Sequence, residues 1–384
     1  MKSDRLINIA IILIVTVVGT ELGARGFFYA QRDIINLPIV FDVLPKNLSH
    51  LDSYEMPDPT RHRHWRLRPN YIESGKVIAE NKKRAQKTLG ALAFSENGEL
   101  QINSAGFRGV ELSNDPSRCS ILMIGDSVTF GLARTTYPNE VFKHLSKKMP
   151  SIEVINAGVE GYRVQNHLYE IDRYTELQPN GVTIMLGWNE IFLGTPVVNA
   201  LEIWWRTAWL YRFAREKIDQ IIERQTHTQT QPAKEKNTRL NSDPNDVSIE
   251  IVAQYANFQL PRLIEFIDAI QTVNSKIGLI TLPGLFVGKE DMNEQSYRKA
   301  HLPVFTNNPY VLLALTERYN AMLRKLAMDR GLVLIDLAKW SKVAMHPRHE
   351  FFYDSVHLTP TGLRLAAKFI AEEIRNNGFA KNAC

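Results

Sequence analysis

Cysteine is nearly absent from this chain, which contains only Cys119 and Cys384 among 384 residues. Two cysteines so far apart in sequence form neither a disulfide framework nor a cysteine-rich metal site. Because Cys119 directly precedes an apolar run, we expect it to be an ordinary buried residue. No close metal-ligand spacing such as HExxH occurs either, so we expect neither a metal nor another cofactor.

An excess of charge of one sign is also lacking. The 46 basic and 41 acidic residues leave a net charge of +5, and the basic residues are spread along the chain. This distribution argues against a nucleic-acid partner. One basic cluster, RHRHWRLR at 61–68, is interpreted either as a solvated loop or as a contact with phospholipid head groups or an anionic polymer.

An apolar run at 6–20 follows Lys2 and Arg5, which is typical of a targeting segment. The run is short for a membrane span of about 20 residues, but apolar residues up to Phe28 extend it. Because no A-x-A-like cleavage site follows, we expect an uncleaved signal anchor over 1–28. A cleaved signal peptide and a buried core helix are the alternatives. The positive-inside tendency would place all later residues on the periplasmic or cell-surface side.

Composition divides the rest of the chain into an extension and a large domain. Residues 29–118 are rich in Pro, Asn, Arg and His and predict a membrane-proximal extension with short strands. From 119 to 378, apolar runs of strand length alternate with helical patterns. This alternation predicts an α/β domain with a parallel sheet that is covered on both faces. The predicted strands are 121–124, 153–155, 182–186, 277–282 and 332–335, and the predicted helices are 140–148, 165–177, 257–272 and 311–329.

An insertion at 196–250 interrupts this alternation. Its first part, 201–224, has a helical pattern with Trp204, Trp205, Trp209 and Tyr211. We interpret this aromatic segment as a packing surface, with a lid, a membrane contact and a partner surface as alternatives. The polar tract that follows, at about 225–248, is predicted to be disordered.

The first predicted strand of the domain ends in Gly125-Asp126-Ser127 and is followed by a helical pattern. This order would place Ser127 at the carboxyl end of a parallel strand, where open α/β sheets bind ligands. The amino terminus of the following helix would favour an oxyanion. Gly-Asp-Ser turns after strands are common, so this motif alone does not establish a nucleophile.

A second motif lies near the carboxyl terminus, where Asp354 precedes His357 by three residues. Thr359 can cap a helix that begins at Pro360, which puts both residues on the preceding loop. There Asp354 can accept the imidazole Nδ1 proton and leave Nε2 free to take a serine proton. Alone, this spacing would suit a solvated loop; together with Ser127 it predicts a Ser-His-Asp triad.

Four sequence blocks, in the same order, resemble those of the SGNH (GDSL-like) hydrolase family: Gly125-Asp126-Ser127, Asn156-Ala157-Gly158, Gly187-Trp188-Asn189-Glu190, and 354–357. The resemblance implies a three-layer α/β/α, flavodoxin-like fold. It also implies an oxyanion hole made of the backbone N–H groups of Ser127 and Gly158 and the side-chain amide of Asn189. Glu190 departs from the family pattern, in which aspartate commonly follows the asparagine.

A smaller resemblance precedes the serine block. The segment INSAGFRG at 102–109 is similar to one found in membrane-anchored members of the family. That resemblance implies an association with cell-surface polysaccharide. The residues themselves predict a β-turn around Ala105 and Gly106, with Phe107 packed beneath the site.

These observations lead us to expect a membrane-anchored serine esterase that hydrolyses O-acyl esters, above all O-acetyl esters, on a cell-surface carbohydrate. An O-acyltransferase acting on surface polysaccharide is the first alternative, because a sugar hydroxyl can replace water at the acyl-enzyme. A catalytically idle scaffold that binds glycan or protein is the second alternative. A metal hydrolase built on Asp126, Asp354 and His357 is disfavoured by the missing ligand spacing. The acyl group, the acceptor and the oligomeric state stay open.

Overall fold

The computed structural model describes two isolated residues, 16 and 19, and the ranges 54–57, 65–73, 100–113, 115, 117–131, 135–193, 240–244, 258, 260–273, 276–303 and 305–378. The chain divides into two compact units, 1–66 with 198–237 and 67–197 with 238–384. Apart from residues 16 and 19, the predicted anchor over 1–28 lies outside the described residues, as do the aromatic segment 201–224 and most of the tract 225–248. Within the described ranges, no helix has the length and apolar character that crossing a membrane requires.

Two short strands, β1 (Glu55–Pro57) and β2 (Trp65–Leu67), form a two-stranded sheet in the predicted extension. The larger unit contains a five-stranded sheet in the order β4-β3-β5-β6-β7, with every neighbouring pair parallel. Its strands are β3 (Cys119–Gly125), β4 (Ile152–Gly158), β5 (Gly181–Met185), β6 (Lys276–Ile280) and β7 (Val333–Ile335).

The α-helices of the described residues are α1 (Ser127–Phe130), α2 (Tyr137–Leu145), α3 (Val164–Tyr169), α4 (Ile171–Glu176), α5 (Trp188–Leu193), α6 (Leu260–Gln271), α7 (Glu294–Tyr297), α8 (Pro309–Arg330), α9 (Leu337–Ala344) and α10 (Pro360–Asn376). Short 3-10 turns occur at Lys289–Asp291 and Arg348–Glu350.

The strand order explains why the sheet is covered on both faces. The chain moves from β3 outward to β4, then crosses back over β3 to β5 and continues in the opposite direction. Because crossovers between parallel strands are right-handed, this reversal puts the first connecting helix and the later ones on opposite faces. Accordingly, α2 packs against α10, while α6 packs against α3 and α4. The prediction of an α/β fold with a parallel central sheet is confirmed.

The apolar runs in the sequence predict the strand positions correctly, because the sheet is buried on both faces. Residues 121–124 of β3 have no exposed surface, and each of the five predicted strands overlaps an observed one. The single helix predicted at 165–177 is wrong, since two helices, α3 and α4, meet at Glu170. There the backbone turns to φ −96° and ψ 4°, and the Glu170 N–H donates to the carbonyl of His167 in a tightened turn.

Cys119 is buried at the start of β3, as expected, but it is also disulfide-bonded. The expectation of an ordinary buried thiol is therefore wrong. The chain's other cysteine, Cys384, lies outside the described residues.

The predicted turn in the segment 102–109 is confirmed. The Gly106 N–H donates to the Asn103 carbonyl over 3.0 Å, and Gly106 has a left-handed φ of 79°. Phe107 follows with 1% of its surface exposed. The guanidinium carbon of Arg173 lies 4.5 Å from the centre of the Phe107 ring, so the segment is packed firmly onto the domain.

Candidate active site

A sharp turn after β3 presents Ser127. The strand ends at Gly125, Asp126 caps the next helix, and Ser127 is the first residue of the single-turn helix α1. One Asp126 carboxylate oxygen accepts the Val128 N–H over 3.0 Å, and the Asp126 carbonyl accepts the Phe130 N–H over 2.9 Å. Asp126 therefore bonds the turn backbone, and Ser127 lies half-buried at the carboxyl edge of the sheet.

The structure brings the three predicted triad residues together. The Ser127 Oγ lies 2.8 Å from His357 Nε2, and His357 Nδ1 lies 2.7 Å from Asp354 Oδ2. The other Asp354 oxygen accepts the backbone N–H groups of Val356 and His357, each over 2.8 Å. Asp354 thus orients the His357 imidazole with one carboxylate oxygen and stabilises the backbone of its own loop with the other.

The helix that follows this loop is capped as predicted. Thr359 is the N-cap of α10, and its hydroxyl accepts the Gly362 N–H over 3.3 Å. Pro360 is the first helical residue, where its missing N–H costs no hydrogen bond. The cap fixes the point at which the loop carrying Asp354 and His357 joins the helix.

Charge stabilises the active arrangement. Burial by itself would lower the pKa of His357, but the neighbouring Asp354 carboxylate outweighs burial and raises that pKa. Burial likewise opposes ionisation of Asp354, yet the His357 ring and the loop N–H groups lower its pKa to about 2. Asp354 is therefore ionised at neutral pH, and it makes His357 a stronger base than a free imidazole.

Asn189 lies in the first turn of α5 and faces the loop that follows β4. Its Nδ2 donates to the Tyr162 carbonyl over 2.9 Å. An amide nitrogen has two hydrogens, so this bond orients the group and leaves a second hydrogen to donate. Close by, the Glu190 Oε1 accepts the Val164 N–H over 2.8 Å. These two bonds tie the loop 159–163 and the start of α3 to α5.

The prediction that Gly158 donates to an oxyanion is wrong. Gly158 is the last residue of β4, and its N–H already donates to Asn156 Oδ1 over 2.9 Å. A Cβ at this position would lie 2.1 Å from the Phe130 nitrogen. The glycine is required here because α1 packs directly against the end of β4.

Gly161, which lies in the loop that follows β4, has the properties of an oxyanion donor that Gly158 lacks. It is exposed, has a left-handed φ of 72°, and its N–H meets no acceptor in the described part of the chain. It immediately precedes Tyr162, whose carbonyl is held by Asn189. The sequence VINAGVEGY contains both glycines, and only the end of β4 tells which one lies in the loop.

Two further carboxyl groups, Asp126 and Glu190, are buried near the site. Burial raises the pKa of Asp126 to about 6. Burial raises the pKa of Glu190 to about 7, and the Asp126 carboxylate contributes to this shift. Among the described residues, no group of three or more His, Cys, Asp or Glu side chains is arranged to hold a metal ion.

We expect Glu190→Gln to change the pH dependence of stability in a defined direction. Because the pKa of Glu190 is raised in the folded state from 4.5 to about 7, wild-type stability falls as pH rises between these values. Gln retains an acceptor for the Val164 N–H but does not ionise. The advantage of the variant in free energy of unfolding should therefore grow, by on the order of 2 kcal/mol between about pH 5 and about pH 8.

Urea unfolding at both pH values measures this difference, and Glu190→Ala is the matched control. Ala cannot ionise either, so Glu190→Ala should follow the same pH dependence as Glu190→Gln but lie about 1–3 kcal/mol lower at either pH, because the buried Val164 N–H loses its partner. A pH-independent difference between wild type and Glu190→Gln would contradict a buried, protonated Glu190.

The model of the GDSL-like Lipase/Acylhydrolase family matches residues 123–365, a range that includes Ser127, Asn189, Asp354 and His357. No curated protein matches the chain closely enough to be named as a relative.

Solved structures with a similar fold include a lipase/acylhydrolase from Enterococcus faecalis, at 18% identity and a TM-score of 0.41, covering 67% of this chain and 96% of that one. An acetylxylan esterase from Geobacillus stearothermophilus is 18% identical with a TM-score of 0.40, covering 67% of this chain and 94% of that one. The family match itself spans more than half of the present sequence. This protein therefore belongs to the GDSL-like lipase/acylhydrolase family, whose members are hydrolases of ester bonds.

Proposed function

We propose that this enzyme hydrolyses O-acyl esters, above all O-acetyl esters of a cell-surface carbohydrate, through an acyl-serine intermediate. The observation that carries the proposal is the continuous hydrogen-bonded path from Ser127 through His357 to Asp354, at 2.8 and 2.7 Å. The first distance is within the range in which a base takes a proton from a nucleophile, and the second is a hydrogen bond that orients the base.

In the first half-reaction, Ser127 Oγ attacks the ester carbonyl while His357 Nε2 takes the hydroxyl proton. Asp354 stabilises the resulting imidazolium. The tetrahedral intermediate then collapses, the bond to the alcohol breaks, and His357 returns the proton to the leaving oxygen. In the second half-reaction, water attacks the acyl-serine and loses its proton to His357, which frees the acid and restores the Ser127 hydroxyl.

The oxyanion is proposed to meet three donors. The Ser127 N–H lies at the amino terminus of α1, where helix N–H groups have no intrahelical partner. The second amide hydrogen of Asn189 is available beside its bond to Tyr162. Gly161 replaces Gly158 as the third donor, because its N–H is free among the described residues and its loop is tied to α5.

A stacked pair of aromatic rings beside the triad supports a carbohydrate substrate. The Phe192 and His301 rings stack with their centres 5.0 Å apart and an angle of 18° between planes. The backbone N–H of His301 donates to Ser355 Oγ over 2.9 Å, so this pair is connected to the loop that holds Asp354. Aromatic faces of this kind bind the apolar faces of ligand rings.

Location outside the cytoplasm, with attachment through the N-terminal apolar run, belongs to the same proposal. It rests on the sequence pattern of residues 1–28. The disulfide at Cys119 gives independent support, because disulfides persist mainly in oxidising compartments.

The test is an assay of the full-length protein with an aryl acetate and with an acetylated xylo-oligosaccharide. Ser127→Ala should abolish turnover of both. Asn189→Ala should lower kcat by about 10²–10³-fold with little change in KM, because an oxyanion donor acts mainly in the transition state. Asn377→Ala, at the far end of α10, is the control and should leave kcat unchanged.

The same assay separates the alternatives. An unacetylated oligosaccharide is added as an acceptor. If the acetyl group is transferred to this sugar faster than it is hydrolysed by water, the result would favour the acyltransferase. A folded wild type with no turnover in any condition would favour the idle scaffold and contradict the esterase.

The raised pKa of His357 predicts the pH profile. The base must be neutral, so kcat/KM should rise with pH, with its half-maximum above 6.5, the ordinary histidine value. Asp354→Asn removes the carboxylate that raises this pKa, so its profile should shift to lower pH. Its kcat should fall on the order of 10⁴-fold. Rate measurements from about pH 5 to about pH 9 test this; an unshifted profile would show that Asp354 does not control the base.

A further inference from the structure

The segment 102–109 lies outside the family-matched range 123–365, yet it contacts the turn that carries the nucleophile. The Arg108 Nη1 donates to the Phe130 carbonyl over 2.8 Å and also to the Gly131 carbonyl. The guanidinium carbon lies 4.6 Å from the centre of the Phe130 ring. Arg108 therefore holds the end of α1 by hydrogen bonds and by ring contact.

The end of α1 needs such a partner. The helix has one turn, which is closed by the bond from the Gly131 N–H to the Ser127 carbonyl at 2.8 Å. The carbonyls at the end of a helix have no intrahelical donor, and a cation there also complements the helix dipole. A bond from a charged guanidinium is stronger than one from a neutral donor.

Arg108 is itself held in place by β4. Its backbone N–H donates to the Asn156 carbonyl over 3.3 Å, and the Asn156 side chain lies 3.4 Å from the Phe130 carbonyl, to which it donates. The same asparagine accepts the Gly158 N–H. Arg108 thus links the segment 102–109, the end of β4 and the nucleophile turn.

The start of the turn is held differently, from within the family-matched range. The fully buried His167 places Nε2 3.1 Å from the Gly125 carbonyl and Nδ1 2.8 Å from the Tyr174 hydroxyl. The start of the turn is therefore held by a residue of the domain, whereas its end is held by Arg108 of the upstream segment together with Asn156.

We propose that Arg108 is a positioning residue for catalysis: by holding the carbonyls of Phe130 and Gly131, it sets the orientation of α1 and so aims the Ser127 hydroxyl and N–H at the substrate. This role rests on the proposed serine mechanism. It gives the segment 102–109 a function in the reaction, although the segment contributes no group that touches substrate.

The experiment compares Arg108→Met and Arg108→Lys with Arg173→Met in the full-length protein. Arg173 is the matched control, because its guanidinium packs on the neighbouring Phe107 and donates to the Ala105 carbonyl over 3.4 Å; within the described part of the chain it makes no hydrogen bond to the nucleophile turn. The readouts are the rate of Ser127 labelling by a fluorophosphonate, kcat and KM with an aryl acetate, and the melting temperature.

Arg108→Met should slow labelling and lower kcat by about 10–100-fold with little change in KM, the effect expected when a charged hydrogen bond is lost. Arg108→Lys should recover part of both rates, since an ammonium can reach one carbonyl but cannot reproduce the guanidinium fork. Methylguanidinium added to Arg108→Ala should also raise the labelling rate. Arg173→Met should lower the melting temperature but keep both rates close to wild type.

Wild-type rates in a folded Arg108→Met would overturn this inference, and so would an equal loss of rate in Arg173→Met, which would indicate general destabilisation. The proposed function fails separately: a wild type that neither labels nor turns over would overturn both. An active wild type with an unaffected Arg108→Met overturns only the role of Arg108.

Discussion

The close approach of α1 to the ends of β3 and β4 is the constraint on which the active site depends. A Cβ on Gly125 would lie 1.8 Å from Thr129 Oγ1, and one on Gly158 would lie 2.1 Å from the Phe130 nitrogen. Side chains are therefore excluded at both strand ends, and the helix can follow the strand without a longer loop. This sharp turn places Ser127 at the sheet edge with its N–H directed out of the helix.

Three separate parts of the chain complete the site around that turn. The loop before α10 brings His357 and Asp354, the proposed base and its carboxylate, while α5 brings Asn189 and the loop after β4 brings Gly161, the two proposed oxyanion donors. Each part is fixed by hydrogen bonds of its own: Asp354 to two loop N–H groups, and α5 to the β4 loop through two bonds. Such preorganisation is what oxyanion stabilisation requires, since the donors need no rearrangement during the reaction.

Sequence reasoning succeeded where a local pattern determines the structure. Buried parallel strands appear as apolar runs, and the capping of α10 by Thr359 and Pro360 follows from local preferences. It failed where the outcome depends on contacts between distant segments. Gly158 and Gly161 are alike in sequence, and only the side chain of Asn156 and the end of β4 distinguish them. In the sequence nothing distinguishes Arg108 from the other arginines, because its contact with α1 forms only in the folded chain. The bend at Glu170 was missed because no proline or glycine marks it.

The central claim is that Ser127 is the residue that forms the covalent intermediate. The most direct measurement is to treat the full-length enzyme with a fluorophosphonate, digest it and locate the adduct by mass spectrometry. We expect one adduct, on the peptide that contains Ser127, with turnover lost in proportion to labelling and no adduct in Ser127→Ala. An adduct on a different residue, or full turnover after Ser127 is completely labelled, would contradict it.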